Sequence, residues 1–537
     1  MMNPITREEL YLAFLNGESN VIPKPVLRKE QYLYQLCLKA SGGGLTDEQI
    51  QKALETYFEE NSVPTKKEFN KLQEEVAGLS NYVTPNMFGA VGDGIADDTE
   101  ALKNAIAECI EKKKTLLVLS GVYKLTDIID LSNIVVIGTN SKECIFNMAG
   151  QSTNREHFFK CTGSVVVENI HFKQSYAGAI FGMYDCEEST IENCTFEVLN
   201  SISSNGYFDL YQGNKDIRII NCRFINQSQM EQSGVWVRNG SSANISENIL
   251  FENCYFLHET KDEALAVWGW LGTINNVTIR GCRFESSNEE YHPTHFITLG
   301  MSGVTKNITL DNCYIADMYN NQLTIKSTTE TDADVIENIC IRNSHIEITG
   351  SNTDGALIQA STLGELIFDN CTFSLNVDKE ISVKAIFNNC KFEIHSKCRG
   401  FGGVLNDCFI NYYDEAYIAR RATTFNNCII DMNGVENSRL ALQILYTGDI
   451  VELNNCKFEN VNQKSGAHFF FVTVENVSFH VMNCKGIKGS LYAGAETTTF
   501  LFLNNVFDGV TLPGKDCTKQ IYNNINNGTF YATGFTA

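Results

Sequence analysis

Beyond residue 165 the apolar positions of this chain are organised by one short phrase. It appears as Asn193-Cys194-Thr195-Phe196, Asn221-Cys222-Arg223-Phe224, Asn253-Cys254-Tyr255-Phe256, Gly281-Cys282-Arg283-Phe284 and Asn312-Cys313-Tyr314-Ile315. It continues through Asn343-Ser344-His345-Ile346, Asn370-Cys371-Thr372-Phe373, Asn389-Cys390-Lys391-Phe392, Asp407-Cys408-Phe409-Ile410, Asn427-Cys428-Ile429-Ile430 and Asn455-Cys456-Lys457-Phe458 to a fainter Asn483-Cys484-Lys485. The spacing is roughly twenty to thirty residues, the range of solenoids. Cys and Phe, two apart, point to one side of a strand, and the variable residue between them points to the other. Apolar pairs just upstream, such as Val277 and Ile279, predict a second inward-facing strand. Between the two strands stands Asn, Gly or Asp, the types that best tolerate a left-handed backbone at a sharp bend. The pattern therefore predicts coils stacked at ~4.8 Å, with like side chains forming internal ladders. A dozen such coils make a column on the order of 60 Å long.

The pattern changes upstream. Asp98 or Thr99 is placed to cap a helix whose apolar face is Ala101, Leu102, Ala105 and Ile106, and Thr115–Leu119 and Gly121–Tyr123 read as strand, turn, strand. An amphipathic helix laid across the open end of a sheet column protects its unpaired edge. Further upstream, Phe69, Leu72, Val76, Leu79 and Val83 follow the a/d spacing of a short coiled coil. Thr46 with Gln49 forms a capping box, and Pro4–Leu12 is echoed by Pro25–Leu33 as two small amphipathic helices.

Composition narrows the function classes. A formal charge of -22 without a Lys/Arg cluster argues against nucleic acid. No stretch reads as a secretory signal or a bilayer span, so no membrane insertion is expected. The 19 cysteines are odd in number and recur at one place in the repeat. They read as free, buried thiols made in a reducing cytoplasm. Strung along a column, they do not converge as metal ligands must, and neither a metal nor another cofactor is expected.

The segment Phe88-Gly89-Ala90-Val91-Gly92-Asp93-Gly94-Ile95-Ala96-Asp97-Asp98-Thr99-Glu100-Ala101-Leu102, leading into Ala105-Ile106, resembles the N-terminal signature of the pectate-lyase superfamily domain of phage tailspikes, tail fibres and glycan-degrading β-helix proteins. The ladder phrase is similar to the repeat of the same superfamily. Together they cover roughly residues 86 to 510, with Ser120 standing where relatives commonly carry proline. The resemblance implies an all-β right-handed parallel β-helix, a homotrimer, and a virion tail location after synthesis in the host cytoplasm. It also implies an N-terminus that joins phage tail or baseplate proteins and a body that meets a bacterial surface polysaccharide. The expected organisation is an N-terminal helical attachment region over 1–44, a helix and short coiled coil over 45–85, a helix-capped β-helix start over 86–165, the β-helix body over 166–510 and a C-terminal cap or tail over 511–537.

In this superfamily the third strand of each coil lines the sugar groove. Its candidates are Tyr207–Tyr211, Val235–Arg238, Leu265–Trp270 and His295–Thr298. With Val235, Val237, Leu265 and Val267 inward, Trp236, Arg238, Trp268 and Trp270 are expected on one exposed face beside Tyr211. All 3 tryptophans of the chain fall there. Exposed rings contact the C–H faces of sugars, and Arg238 suits a sugar acid, a phosphate or a surface salt bridge.

Glycoside cleavage needs two carboxyl groups, about 5 Å apart for retention and about 6.5–9.5 Å for inversion. Asp209, Glu231, Asp262 and Glu263 are the candidates, one and two coil steps apart. Asp262-Glu263-Ala264-Leu265-Ala266-Val267 is similar to the acid-pair strand of polygalacturonase-type enzymes, which implies a general-acid or water-activating role for Asp262 and Glu263. Asn352-Thr353-Asp354-Gly355, however, lies several coils too late for that family's pattern, and neither a Gly-His-Gly nor a basic strand follows. His292 and His295 flank Pro293, and a calcium site cannot be assembled from the groove acids. Two other readings stay open: a free polysaccharide-degrading lyase or hydrolase without a virion role, and a non-catalytic structural appendage.

Overall fold

The computed structural model describes residues 81–533 apart from 151–156, 175–178, 200–205, 229–233, 261–262, 287–294, 301–302, 318–321, 327–334, 349–355, 362–365, 377–379, 383–384, 396–399, 415–416, 438–441, 445, 464–467, 494–496, 509, 511–516 and 527. The N-terminal duplication, the capping box at Thr46 and the seam from Phe69 to Leu79 lie outside the described residues. Val83, expected as the last position of that seam, is instead buried in the strand Tyr82–Val83, paired with Thr115 and Leu116. Pro85 explains the change: it forces an extended residue before it, and Thr84 has φ -113° and ψ 148°.

From there the chain winds as a right-handed parallel β-helix with three strands per coil. In the central coils the first sheet stacks Lys215–Ile220, Ile245–Glu252, Thr273–Arg280 and Val304–Asp311. The second stacks Thr195–Val198, Arg223–Asn226, Tyr255–His258 and Arg283–Ser286. The third stacks Phe208–Tyr211, Val235–Arg238, Leu265–Trp268 and His295–Leu299. All these pairings are parallel and hold like residues in register, Phe196 to Phe224 to Phe256 to Phe284 among them.

The ladders follow from that register. Successive rings stack at 5.2, 4.9 and 4.4 Å along this phenylalanine column. Thiols of the repeat donate to backbone carbonyls of the preceding coil, Cys222 to Ile191 and Cys254 to Ile219, both at 3.5 Å. Burial holds the Cys222 and Cys254 thiols well above their ordinary pKa, so they are inert. Among the described cysteines none is in a disulfide. The residue preceding each repeat cysteine takes the left-handed conformation: Asn221, Asn253, Gly281, Asn312 and Asp407 have φ between 53 and 61°.

The helix Thr99–Lys112 covers the first coils with Leu102, Ala105, Ile106 and Cys109 buried. Asp98 stands at its N-cap position without a side-chain capping bond. Its carboxylate accepts the Val91 and Gly92 N–H groups at 2.7 and 3.2 Å, pinning the glycine turn to the helix start. At the other end Thr518–Asn526 pairs in parallel with Thr499–Leu503, then turns back on Thr529–Thr533 in an antiparallel pair.

Candidate functional site

The third sheet carries the predicted aromatic residues, and its outward column runs Gly182, Asp209, Trp236, Ala266. The neighbouring outward column runs Tyr184, Tyr211, Arg238, Trp268. Val235, Val237, Leu265 and Val267 fill the interior, as alternation requires. The expected uniform exposure is not found. Trp236 and Arg238 are buried at 7% and 8% exposure, Trp268 and Tyr211 are half-buried, and only Trp270 is exposed, at 39%.

The cause is packing above the sheet plane. Gly206 and Gly234 leave a trough for the Trp236 indole: a Cβ on Gly206 would stand 3.0 Å from the ring, and one on Gly234 2.8 Å from Nε1. Trp270 has φ 51° in the turn after its strand, so it leaves the alternation. Its ring lies 6.3 Å from that of Tyr211, and the Arg238 guanidinium sits 5.1 Å from the Trp270 ring, 5.0 Å from Tyr211 and 4.6 Å from Trp236. Trp236 and Trp268 are 5.4 Å apart, tilted by 43°. One planar cation thus braces three rings, a role a lysine could not fill.

Asp209 fixes that cation. Arg238 Nε donates to Asp209 Oδ1 and Oδ2 at 3.2 and 3.0 Å, and Nη2 donates to Oδ2 at 2.6 Å. Asp209 is fully buried, and burial raises its pKa to about 6 against the lowering effect of Arg238. Gly182, in register with Asp209, makes room for the buried His157 ring, whose Cγ would lie 2.6 Å from a Cβ there. His157 Nε2 donates to the Gly206 carbonyl at 3.1 Å, which leaves Nδ1 to accept the Tyr184 hydroxyl at 2.6 Å. Burial lowers the His157 pKa to about 3, so it is the neutral imidazole that orients Tyr184.

Of the four predicted acids, Asp209 and Glu263 lie among the described residues. Asp209, expected as a groove acid, lies beneath Arg238 and out of reach of a ligand. Glu263 precedes Ala266, the residue in register with Asp209 through Trp236. Glu263 thus lies two coil steps from Asp209, in the segment that leads into the strand Leu265–Trp268. Glu263 is mostly buried and accepts the Thr298 hydroxyl at 3.5 Å. Glu231 and Asp262 lie outside the described residues, as do His292 and Asn352–Gly355, and the His295 side chain is likewise undescribed.

Sequence reading missed Tyr184, His157 and the glycines. Tyr184 had a signal, because Phe181-Gly182-Met183-Tyr184 repeats the pattern of Phe208-Asp209-Leu210-Tyr211 one coil earlier. What emerges is a strip of rings, half-buried Tyr184, Tyr211 and Trp268 with exposed Trp270, over a buried Asp209–Arg238 pair. Such a strip offers flat apolar faces with hydroxyl groups at their edges.

Residues 86–314 match the family model described as rhamnogalacturonase A/epimerase, pectate lyase-like. A 40-residue stretch is 62% identical to the capsule K30/K69-specific depolymerase of Klebsiella phage K64-1, covering 7% of this chain and 5% of that one. A 60-residue stretch is 37% identical to a glucan 1,3-beta-glucosidase of Cochliobolus carbonum, covering 11% of this chain and 8% of that one. The matched stretches are thus a small part of each relative. Among solved structures, the pre-mature gene product 12 of bacteriophage phi29 superposes with a TM-score of 0.50 at 12% identity, over 86% of this chain and 77% of that one. That likeness is one of fold. No helix among the described residues is long and apolar enough to cross a membrane.

Proposed function

We propose that this chain is a subunit of a phage tail spike or tail fibre, and that its third sheet binds a bacterial surface polysaccharide through Tyr184, Tyr211, Trp268 and Trp270. The observation that carries the reading is the braced aromatic strip on a pectate-lyase-like β-helix. Tyr211 and Trp270, held by the buried ion pair through Arg238, lose little freedom when a sugar lands on them, so more of the contact energy appears as affinity. The short, highly identical match to a phage capsule depolymerase supports the same reading. In it Arg238, Trp236 and Asp209 are positioning residues. In this reading Glu263 with Glu231 and Asp262 hydrolyses the bound chain. The N-terminal region attaches the chain to tail or baseplate proteins, and the working unit is a homotrimer.

The test is a panel of purified bacterial capsular polysaccharides and lipopolysaccharide O-chains. Binding by the full chain should fall at least tenfold in Trp270→Ala with Tyr211→Ala, with the melting temperature unchanged. Released reducing ends that vanish in Glu263→Gln while binding persists would support hydrolysis. Binding to no member of the panel would sink the reading.

A further inference from the structure

Well beyond the Trp270 strip the third sheet presents another aromatic platform. Leu442–Ile444, His468–Val472 and Ser490–Ala493 stack in parallel, with Leu442, Phe470 and Leu491 buried in one column. Gln443, Phe471 and Tyr492 form the outward column. Phe471 and Tyr492 are stacked at 4.9 Å with an interplanar angle of 18°, and Tyr492 is exposed. His468 stands 5.3 Å from the Tyr492 ring, with Nδ1 2.6 Å from the Ser490 hydroxyl. From the coil before Leu442–Ile444 the Arg421 guanidinium lies 4.3 Å over the exposed Tyr446 ring and donates to its hydroxyl at 3.0 Å. The interior is already filled, so core packing does not require these rings on the outside.

We propose that Phe471 and Tyr492, edged by Gln443, His468 and Ser490, form a second sugar subsite, occupied by another stretch of the same polysaccharide held at the Trp270 strip. This rests on the polysaccharide reading above. Flat rings edged by hydroxyl, amide and imidazole groups are what a hydroxyl-rich sugar ring requires. Both platforms lie on one sheet, separated along the axis by roughly 40 Å at ~4.8 Å per coil. A rigid column holding two weak subsites at fixed spacing converts the second contact into an intramolecular one for a long chain, and does nothing for a short one.

The experiment uses the full chain and the same glycan panel, each member as intact polymer and as short oligosaccharides from acid hydrolysis. All 3 tryptophans lie in the first strip, so tryptophan quenching reads that strip alone. Phe471→Ala with Tyr492→Ala should weaken intact-polymer binding at least tenfold while oligosaccharide affinity and quenching stay as in the parent. Tyr492→Ser alone, at an exposed position, replaces the pair if the double variant misfolds. Unchanged polymer affinity in these variants, with loss in Trp270→Ala, would overturn the second subsite and leave the first standing. Equal loss for polymer and oligosaccharide would overturn it too, because the damage would then lie in the first strip. Absence of binding by the parent chain overturns both.

Discussion

Two buried residues under the aromatic strip titrate in opposite senses. His157 has its pKa depressed to about 3. The stability it contributes is present above its ordinary value of 6.5 and is lost as pH falls, because only the unfolded chain takes the proton. Asp209 has its pKa raised from 3.8 to about 6, so its contribution is present below 3.8 and is lost as pH rises through 6. Between about pH 4 and 6 the two nearly cancel. Asp209→Asn removes one side and should steepen the acid loss of stability in that window by up to about 1.4 kcal/mol per pH unit. Urea unfolding followed by tryptophan emission at several pH values would check this, and equal slopes in variant and parent would refute it. In the parent, protonating Asp209 also releases the clasp on Arg238, so tryptophan emission should shift with a midpoint near pH 6. That transition should be missing from Asp209→Asn. Gly240 sets a further limit, since a Cβ there would lie 1.9 Å from the Tyr211 hydroxyl. Gly240→Ala should displace that ring and weaken glycan binding severalfold with little change in melting temperature, as read by quenching titrations.

The element that repeats is strand, left-handed bend, strand. Asn253 has φ 53°, and Gly281 takes the same bend one coil later with φ 61°. Asn253→Gly should therefore be tolerated, whereas Asn253→Val should cost about 1–2 kcal/mol, because a branched Cβ clashes in that region. Phe256 lies between Phe224 and Phe284 at 4.9 and 4.4 Å. Phe256→Ala should cost about 3–5 kcal/mol, and denaturant midpoints separate the two magnitudes. This bend was legible, because Asn-Cys-x-Phe states both the turn and the inward pair. A second bend was also written in the sequence and went unread. Asn248, Asn276, Asn307 and Asn338 each precede an apolar residue and have φ between 54 and 58°, and side-chain hydrogen bonds join some of them from coil to coil: Asn276 Nδ2 donates to Asn248 Oδ1 at 2.7 Å and Asn338 Nδ2 to Asn307 Oδ1 at 2.9 Å.

On the scale of the whole molecule, a column of parallel strands has two ends and must protect both. The helix Thr99–Lys112 covers the first, and at the last described strands Thr529–Thr533 folds back in an antiparallel pair on Tyr522–Asn526. Deleting residues 518–537 would bare the edge of Thr499–Leu503. The truncated chain should then associate beyond the mass of the full chain, with concentration-dependent light scattering as the readout. Scattering identical to that of the full chain would show that the return is dispensable.

The sequence by itself determined the winding, since a period of two within strands and a left-handed residue between them are local properties that survive any neighbourhood. It also determined that Tyr211, Trp236, Arg238 and Trp268 leave the strand on the outer side. Only the tertiary structure decided what became of them there. Side is fixed by alternation, but exposure depends on what neighbouring coils lay over a residue: Gly206 and Gly234 admit the Trp236 ring, and Asp209 draws Arg238 down among three rings. The burial of Asp209 was illegible for the same reason, because its place beneath Arg238 is set by register between coils, which no local pattern encodes.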